Sequence, residues 1–246
     1  MSSLPDPTKF KDHKADYIAS SPKETEKSYD LEKIHKQCRE DIQRADRQTI
    51  RKQSNDLVCY EFFKTAPFQE AVKGLFGFSS RDNSITIHLE DNGEVKTVAV
   101  RRSGEVKWKT YGSKKFIPYQ IEDDFVFIFS GMAELAIVKI LGLSYVMLQA
   151  DGMVKHLPEE LKELCRDKTI IVLQDNDDSF KAIVPKIKEF FSRSEVLVID
   201  FERILDRELK YGYDFRDFVN DIKDAEKVME RLEIEIICLQ DKSYVR

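Results

Sequence analysis

The second half of the chain alternates between short apolar runs and stretches with helical spacing, and this alternation restricts the possible folds most strongly. The apolar runs are 125–129, 145–148, 169–173, 196–199 and 234–239, and the helical stretches between them are 132–141, 158–165, 180–191 and 215–231. Strands that alternate with helices form crossover units, in which the strands run parallel. We therefore predict that residues 120–246 form an α/β domain with a mainly parallel sheet flanked by helices.

Two carboxylates, Asp175 and Asp177, come just after the apolar run 169–173. Ligands bind at the carboxyl ends of parallel strands, and carboxylates in that place can hold a divalent cation through hard oxygen ligands. The alternative is structural, because Asp178 and Ser179 open a helical stretch and acids are favoured at helix N-termini. The pattern by itself leaves both interpretations open.

The first half of the chain has a different pattern. Residues 1–30 are polar and rich in Lys, Glu and Ser, which predicts a flexible arm. Residues 31–63 have uninterrupted helical spacing, and a short helix over 68–76 is expected to end at Gly77, so that 31–78 is predicted to be helical. Three strand-like runs, 84–89, 94–102 and 105–109, are separated by hairpin turn signals. These runs predict a small antiparallel β subdomain over 79–119.

This predicted β subdomain contains a basic segment, residues 95–119, with seven Lys or Arg and one acid. Basic side chains neutralise phosphates, and aromatic rings offer stacking surfaces to unpaired bases. The alternative is an edge hairpin that is protected by lysines and whose aromatic rings face the core. The candidate nucleic-acid-binding residues are Arg101, Arg102, Lys107, Trp108, Lys109, Lys114 and Lys115.

Composition narrows the class of protein. The net charge of -5 argues against a protein that coats nucleic acid over its whole surface, so any nucleic-acid face must be local. The four cysteines are far apart, which argues against a zinc module or a disulfide framework and favours a cytoplasmic location. No apolar run reaches the length that spans a membrane, and there is no Walker-type phosphate loop.

Four segments, taken in order, resemble a known family. They are Ser130-Gly131-Met132-Ala133-Glu134, the strand end at 151–152, the segment 173–177, and the segment 214–217. This order resembles the Toprim domain of bacterial and phage primases, type IA and type II topoisomerases and some nucleases. The segment 107–119 is similar to the strands that precede Toprim in phage and plasmid primases. The resemblance covers roughly residues 84–220 and implies a Toprim-like sheet in the α/β domain.

The resemblance also implies a metal site for Mg²⁺ or Mn²⁺. Asp175 and Asp177 match the two family aspartates that bind the metal, and Gly131 matches the family glycine. Ser130 stands where the family has a Glu that acts as ligand or general acid/base. A hydroxyl cannot replace a carboxylate base at neutral pH, so Ser130 is a departure within the catalytic position.

Three further acids complete the site that the resemblance implies. Glu134 lies one helical turn beyond the departure, where primases carry a second acid, and it is the candidate replacement both as catalytic group and as metal ligand. Asp214 and Asp217 resemble a later Asp-x-x-Asp of primases and would surround the metal without binding it directly.

The function that this resemblance implies is primase-like nucleotidyl or phosphoryl transfer in DNA replication. The expected partners are DNA, mainly single-stranded, and a replicative helicase or other replication proteins, with no membrane. The departure at Ser130 leaves two alternatives open, a Toprim nuclease and a non-catalytic single-strand-binding accessory protein of a replication or defence system. A phosphatase of the haloacid-dehalogenase type, with Asp175 as nucleophile, is less favoured because no acidic pair follows the run 196–199.

Overall fold

A computed structural model describes residues 30–55, 57–101 and 108–241. The flexible arm predicted for residues 1–30 lies outside this part of the chain except for Asp30. The helical segment consists of α1 (Leu31–Arg44), α2 (Arg47–Asn55) and α3 (Tyr60–Thr65). The uninterrupted pattern over 31–63 is therefore divided. Ala45 has extended backbone, and the Asp46 side chain accepts a hydrogen bond from the backbone N–H of Thr49 at 2.9 Å, which starts a new helix.

A four-stranded antiparallel sheet follows, in the order β1-β2-β3-β4. Its strands are β1 (Phe76–Ser79), β2 (Ser84–Asp91), β3 (Glu94–Arg101) and β4 (Trp108–Gly112). The helix predicted over 68–76 is wrong, because a 3-10 turn at Gln69–Val72 leads into β1. Gly77 lies inside β1, where a Cβ atom would come within 2.7 Å of the side chains of both Thr86 and His88. A glycine within a strand permits this close approach.

The predicted α/β region contains a five-stranded sheet in the order β5-β7-β6-β8-β9. Its strands are β5 (Tyr119–Gln120), β6 (Phe125–Ser130), β7 (Ser144–Leu148), β8 (Thr169–Leu173) and β9 (Glu195–Ile199). The short edge strand β5 is antiparallel to its neighbour, and the other strands are parallel. The prediction of a mixed α/β fold, with parallel strands flanked by helices and an antiparallel sheet before it, is confirmed.

The helices of this region are α4 (Met132–Leu141), α5 (Glu160–Leu164), α6 (Asp178–Phe190), α7 (Phe201–Leu205), α8 (Phe215–Ile222) and α9 (Ala225–Gln240), with a 3-10 turn at Asp151–His156. The strand predicted over 234–239 is wrong, because these residues form the end of α9. The single helix predicted over 215–231 is also wrong. Lys223 has φ of 62°, which ends α8, and Asp224 caps α9 by accepting from the backbone N–H of Lys227.

Both faces of the five-stranded sheet are covered. Phe127 and Phe129 of β6 lie in a core with α4, α8 and α9, whereas Val126 and Ile128 lie in a second core with α6. This double burial explains why the strands are unbroken apolar runs. The first core also contains residues of the antiparallel sheet, and every residue of α4 except Lys139 is buried.

None of the helices in the described part of the chain is both long and apolar enough to cross a membrane.

Candidate active site

The strand order places a topological switch point at the carboxyl end of β6, the central strand of the five-stranded sheet, and we call this place the crevice. β7 lies on one side of β6 and β8 lies on the other. Ligand sites of α/β sheets lie at such switch points, outside the carboxyl ends of the strands. Gly131 directly follows β6 and Asp175 lies two residues beyond β8, so the two segments singled out in the sequence meet at this crevice.

Glu134 reaches the crevice by folding back over Gly131. Its carboxylate occupies the space that a Cβ atom at position 131 would need, and Gly131 has φ of 122°, a conformation that favours glycine. Both the close approach of Glu134 and the positive φ explain why this position is occupied by a glycine. Glu134 lies in the first turn of the buried helix α4 and is only 5% exposed. Ser130 is the last residue of β6, directly precedes Gly131 in the chain, and is half-buried.

Asn176 attaches a later loop to the end of β8. Its backbone N–H donates to the carbonyl of Tyr213 at 2.8 Å, and its own carbonyl accepts from the N–H of Gly212 at 2.7 Å. The side-chain amide donates to the carbonyl of Leu209 at 3.3 Å. These bonds hold Tyr213 and therefore bring Asp214, which follows it in the chain, to the crevice. There the Oδ1 of Asp214 caps α8.

Asp175 lies in an anionic environment. Its pKa is raised to about 9, first by burial and then by the negative charges of Glu134, Asp214, Asp177 and Asp151. Acids from four separate segments of the chain therefore lie close enough to Asp175 to oppose its ionisation. Asp151 accepts a hydrogen bond from Ser179, which links the turn after β7 to the start of α6.

The negative charges of Glu134 and Asp214 are partly balanced by Arg216. Burial and the charge of Asp214 raise the pKa of Glu134 to about 7, while Arg216 opposes this shift. Burial also raises the pKa of Asp214, and Arg216 again acts in the opposite direction. The guanidinium Nη2 of Arg216 lies 3.2 Å from Oδ2 of Asp214. We call Glu134, Asp151, Asp175, Asp177, Asp214 and Arg216 the crevice cluster.

Asp177 and Asp217 also have local structural partners. Asp177 caps α6, because its Oδ1 accepts from the backbone N–H of Phe180 at 2.7 Å. The capping interpretation of the acidic pair therefore applies to Asp177. Asp217 lies in the first turn of α8, and its Oδ2 is 2.9 Å from the ammonium of Lys210, a largely exposed residue at the rim.

The donor set of the cluster suits a hard divalent cation. Carboxylate oxygens are the ligands that Mg²⁺ prefers, and a cation would relieve the repulsion that raises the pKa of Asp175. As the side chains stand, no three His, Cys, Asp or Glu residues within 30–55, 57–101 and 108–241 are placed to hold an ion together. The donor chemistry of these residues therefore fits such an ion, whereas their arrangement in the described residues does not bring three of them together.

The structure divides the predicted nucleic-acid-binding residues. Arg102 and Lys107 lie outside the described residues. Arg101 lies at the end of β3, and Trp108 and Lys109 lie in the edge strand β4. The Trp108 ring packs against the large core and the Lys109 ammonium lies 4.8 Å from the ring centre of Tyr111. Of the aromatic side chains in this segment, Trp108 and Phe116 thus pack against the core, whereas Tyr119 is exposed.

Lys114 and Lys115 are exposed, and their loop lies near the carboxyl end of β7, on the side of the sheet where the crevice is. The side-chain amide of Gln149 donates to the carbonyl of Phe116 at 2.6 Å and to that of Ser113 at 3.1 Å. Gln149 directly follows β7, whose last residue pairs with the end of β6. The basic loop 113–116 is therefore attached to the sheet at the carboxyl ends of its strands, where the acidic residues also lie.

Sequence reasoning assigned no role to three residues of this region. The sequence identifies Asp151 only as part of the strand end at 151–152, Arg216 only as one position of the segment 214–217, and Asn176 only as the residue between two aspartates. Asn is favoured in turns because its side chain hydrogen-bonds nearby backbone, so the sequence indicates a turn at Asn176 but not the distant loop that it binds. Nothing in the sequence indicated that Arg216 faces the acids.

The fold is similar to the folds of two solved primase structures. One is the primase fragment of the bacteriophage T7 primase-helicase protein, at 14% identity and a TM-score of 0.50, covering 70% of this chain and 72% of that one. Another is the Aquifex aeolicus primase with its zinc-binding and RNA polymerase domains, at 14% identity and a TM-score of 0.55. That match covers 83% of this chain but 59% of the Aquifex chain. No family model and no curated protein matches the sequence.

Proposed function

We propose that this chain is a Toprim-type protein of DNA replication that performs primase-like, metal-dependent nucleotidyl transfer on a single-stranded DNA template in the cytoplasm. One observation carries the proposal. Carboxylates from the start of α4, the segment after β8 and the start of α8 lie close together at the switch point of a sheet whose fold is primase-like. An anionic cluster in this place suits the metal-assisted chemistry of phosphates.

Asp175, Asp177 and Glu134 would hold a Mg²⁺ or Mn²⁺ ion, with Asp214 and Asp217 around it. When bound, the ion would neutralise charge on the transferring phosphate. Glu134 is the proposed proton-transfer group, because it takes the place beside Gly131 that Ser130 cannot fill. Asp177 can contribute its Oδ2, since its Oδ1 is the one that caps α6.

The basic loop would hold the template. Lys114 and Lys115 are exposed beside the crevice, and Gln149 maintains their position. Since Trp108 packs against the core, we propose phosphate contacts, rather than base stacking, as the main contribution of the β3–β4 region. Arg101, Arg102, Lys107 and Lys109 would extend this contact surface. A replicative helicase remains the proposed protein partner.

A second candidate is a non-catalytic protein that binds single-stranded nucleic acid, and Ser130 is the observation that favours it. Loss of an acid/base group reduces rates by about 10²–10⁴-fold. A third candidate, a Toprim nuclease, uses the same cluster and differs only in the reaction.

A primer-synthesis assay and a nuclease assay on single-stranded DNA separate the three candidates. We compare the wild type with Glu134→Gln and Ser130→Glu, and use Glu163→Gln on α5, which is exposed and remote in sequence, as the matched control. We expect primers from the wild type and a loss of about 10²–10⁴-fold in Glu134→Gln only. Activity that appears only in Ser130→Glu would identify a degenerate enzyme, and cleavage without synthesis would identify the nuclease. Wild-type activity in Glu134→Gln would refute the role of Glu134.

A further inference from the structure

Arg216 lies among carboxylates that a metal site would have to use. It is in the first turn of α8, two residues after the cap Asp214, and its Nη2 is within 3.2 Å of the Asp214 Oδ2. Its side chain is 25% exposed, so the guanidinium is largely enclosed by the crevice. The Asp214 Oδ1 accepts the capping hydrogen bond from Asp217. Both oxygens of Asp214 therefore have partners within the chain.

The electrostatic environment of Arg216 comes from several segments. Burial alone would lower the pKa of Arg216, but the charges of Asp214, Glu134, Asp217 and Asp175 outweigh it and raise the pKa. These acids follow three different strands or loops. Lys210, by contrast, is 67% exposed and pairs with Asp217 at the rim. Arg216 is thus the more enclosed of these two cations and the one that faces both Glu134 and Asp175.

A guanidinium and a divalent ion make opposite demands on the same carboxylates. Each is attracted by the oxygens of Asp214 and by the field of Asp175 and Glu134, and the two cations repel one another. A fixed opposite charge within about 4–6 Å shifts a carboxyl pKa by 1–3 units. A tethered cation at that range therefore weakens the attraction for a second cation by about tenfold or more.

We propose that Arg216, held in the crevice by its ion pair with Asp214, is a built-in counter-cation that balances the crevice cluster and must move away before a divalent ion binds to Glu134, Asp175 and Asp177. This inference rests on the metal site of the proposed function. It makes Arg216 a positioning residue that sets the metal affinity.

The first test is a calorimetric titration of the full chain with Mn²⁺. Arg216→Met removes the charge and keeps much of the side-chain length, Arg216→Lys keeps the charge, and Arg207→Met is the matched control, since Arg207 pairs with Asp221 outside the cluster. We expect Arg216→Met to bind Mn²⁺ about tenfold or more tightly than the wild type, with the other two variants close to it.

Unchanged or weaker Mn²⁺ binding by a folded Arg216→Met, in a protein whose wild type binds the ion, would overturn this inference and leave the proposed function intact. No binding by the wild type or by any variant would overturn both. Binding by Arg216→Met alone would support the inference and would show that the native site is blocked.

A second measurement uses the wild type and so does not depend on whether a variant folds. Phenylglyoxal modifies accessible arginines, and mass spectrometry measures the extent at each one. We expect Mn²⁺ to increase the modification of Arg216 several-fold while Arg207 stays constant. Equal modification of Arg216 with and without Mn²⁺, at concentrations that saturate the site, would overturn the inference.

Discussion

Replacing Asp175 with Asn should stabilise the metal-free protein, although it removes a candidate metal ligand. Asp175 is largely buried, and its pKa is raised to about 9 by burial and by the acids around it. The unfolded chain ionises the same carboxyl near pH 4. Between about pH 4 and pH 9 the folded state therefore holds one more proton than the unfolded state, and stability falls as the pH rises through this range. Asn cannot ionise and escapes this cost.

The size of the effect follows from the width of this pH range. At pH 7 the solution is about 3 pH units above the unfolded pKa, and at 1.36 kcal/mol per unit the cost of keeping Asp175 protonated at this pH would be about 4 kcal/mol. Asp175 is not fully enclosed, and screening by water reduces the cost to about 1–2 kcal/mol. For a chain of this size, that gain corresponds to a rise of roughly 2–8 °C in the melting temperature.

The assay is thermal unfolding followed by circular dichroism, with a chelator present, at several pH values from 4 to 9. We expect Asp175→Asn to unfold at a higher temperature than the wild type, with a difference that grows with pH and disappears near pH 4. Asp178→Asn is the matched control, because Asp178 is an exposed acid three residues away. Addition of Mn²⁺ should raise the melting temperature of the wild type more than that of Asp175→Asn. A lower melting temperature for Asp175→Asn at pH 8, or a difference independent of pH, would refute the reasoning.

Two further predictions concern the parts that surround the acids. The double variant Lys114→Glu/Lys115→Glu should bind single-stranded DNA at least tenfold more weakly, as fluorescence anisotropy would show. Loss of two phosphate contacts should also reduce the slope of log K against log salt by about 1.4, since each contact on a single strand contributes about 0.7. The control is Lys186→Glu/Lys188→Glu on the exposed face of α6, and equal affinities of the two double variants would contradict a template role for the loop. Asn176→Ala should lower the free energy of unfolding by about 1–2 kcal/mol, because it removes the side-chain hydrogen bonds to the loop before Asp214. It should also weaken Mn²⁺ binding, and unchanged denaturation and titration curves would show that the loop holds its place without them.

Local sequence patterns predicted the parallel strands well and several boundaries poorly. The runs at 125–129 and 169–173 are unbroken because both of their faces are buried, and turn residues separate them clearly from the helices. The strand predicted over 234–239 is wrong because a six-residue run, with five apolar residues and Glu235, does not distinguish a strand from one turn and a half of helix. Its helical register depends on Val228 and Leu232, which are buried on the same side of α9.

The acidic site was only partly predictable for a similar reason. Asp175 and Glu134 follow strands that were predicted to be parallel, so their position at the same end of the sheet could be expected. Asp214 lies at the crevice because the backbone of Asn176 pairs with Gly212 and Tyr213, a contact between segments 36 residues apart in the chain that no local pattern encodes.

The sequence by itself determined the class of fold, the sheet edge at which the acids gather and the absence of a carboxylate at Ser130, because these depend on residue type and on short-range periodicity. Tertiary structure decided that Glu134 folds over Gly131, that Asp177 caps a helix, that Trp108 packs inward and that Arg216 faces the acids. Each of these depends on which side chains of distant segments share one small volume, and the burial and mutual charge that result set the pKa values and the affinity for a cation.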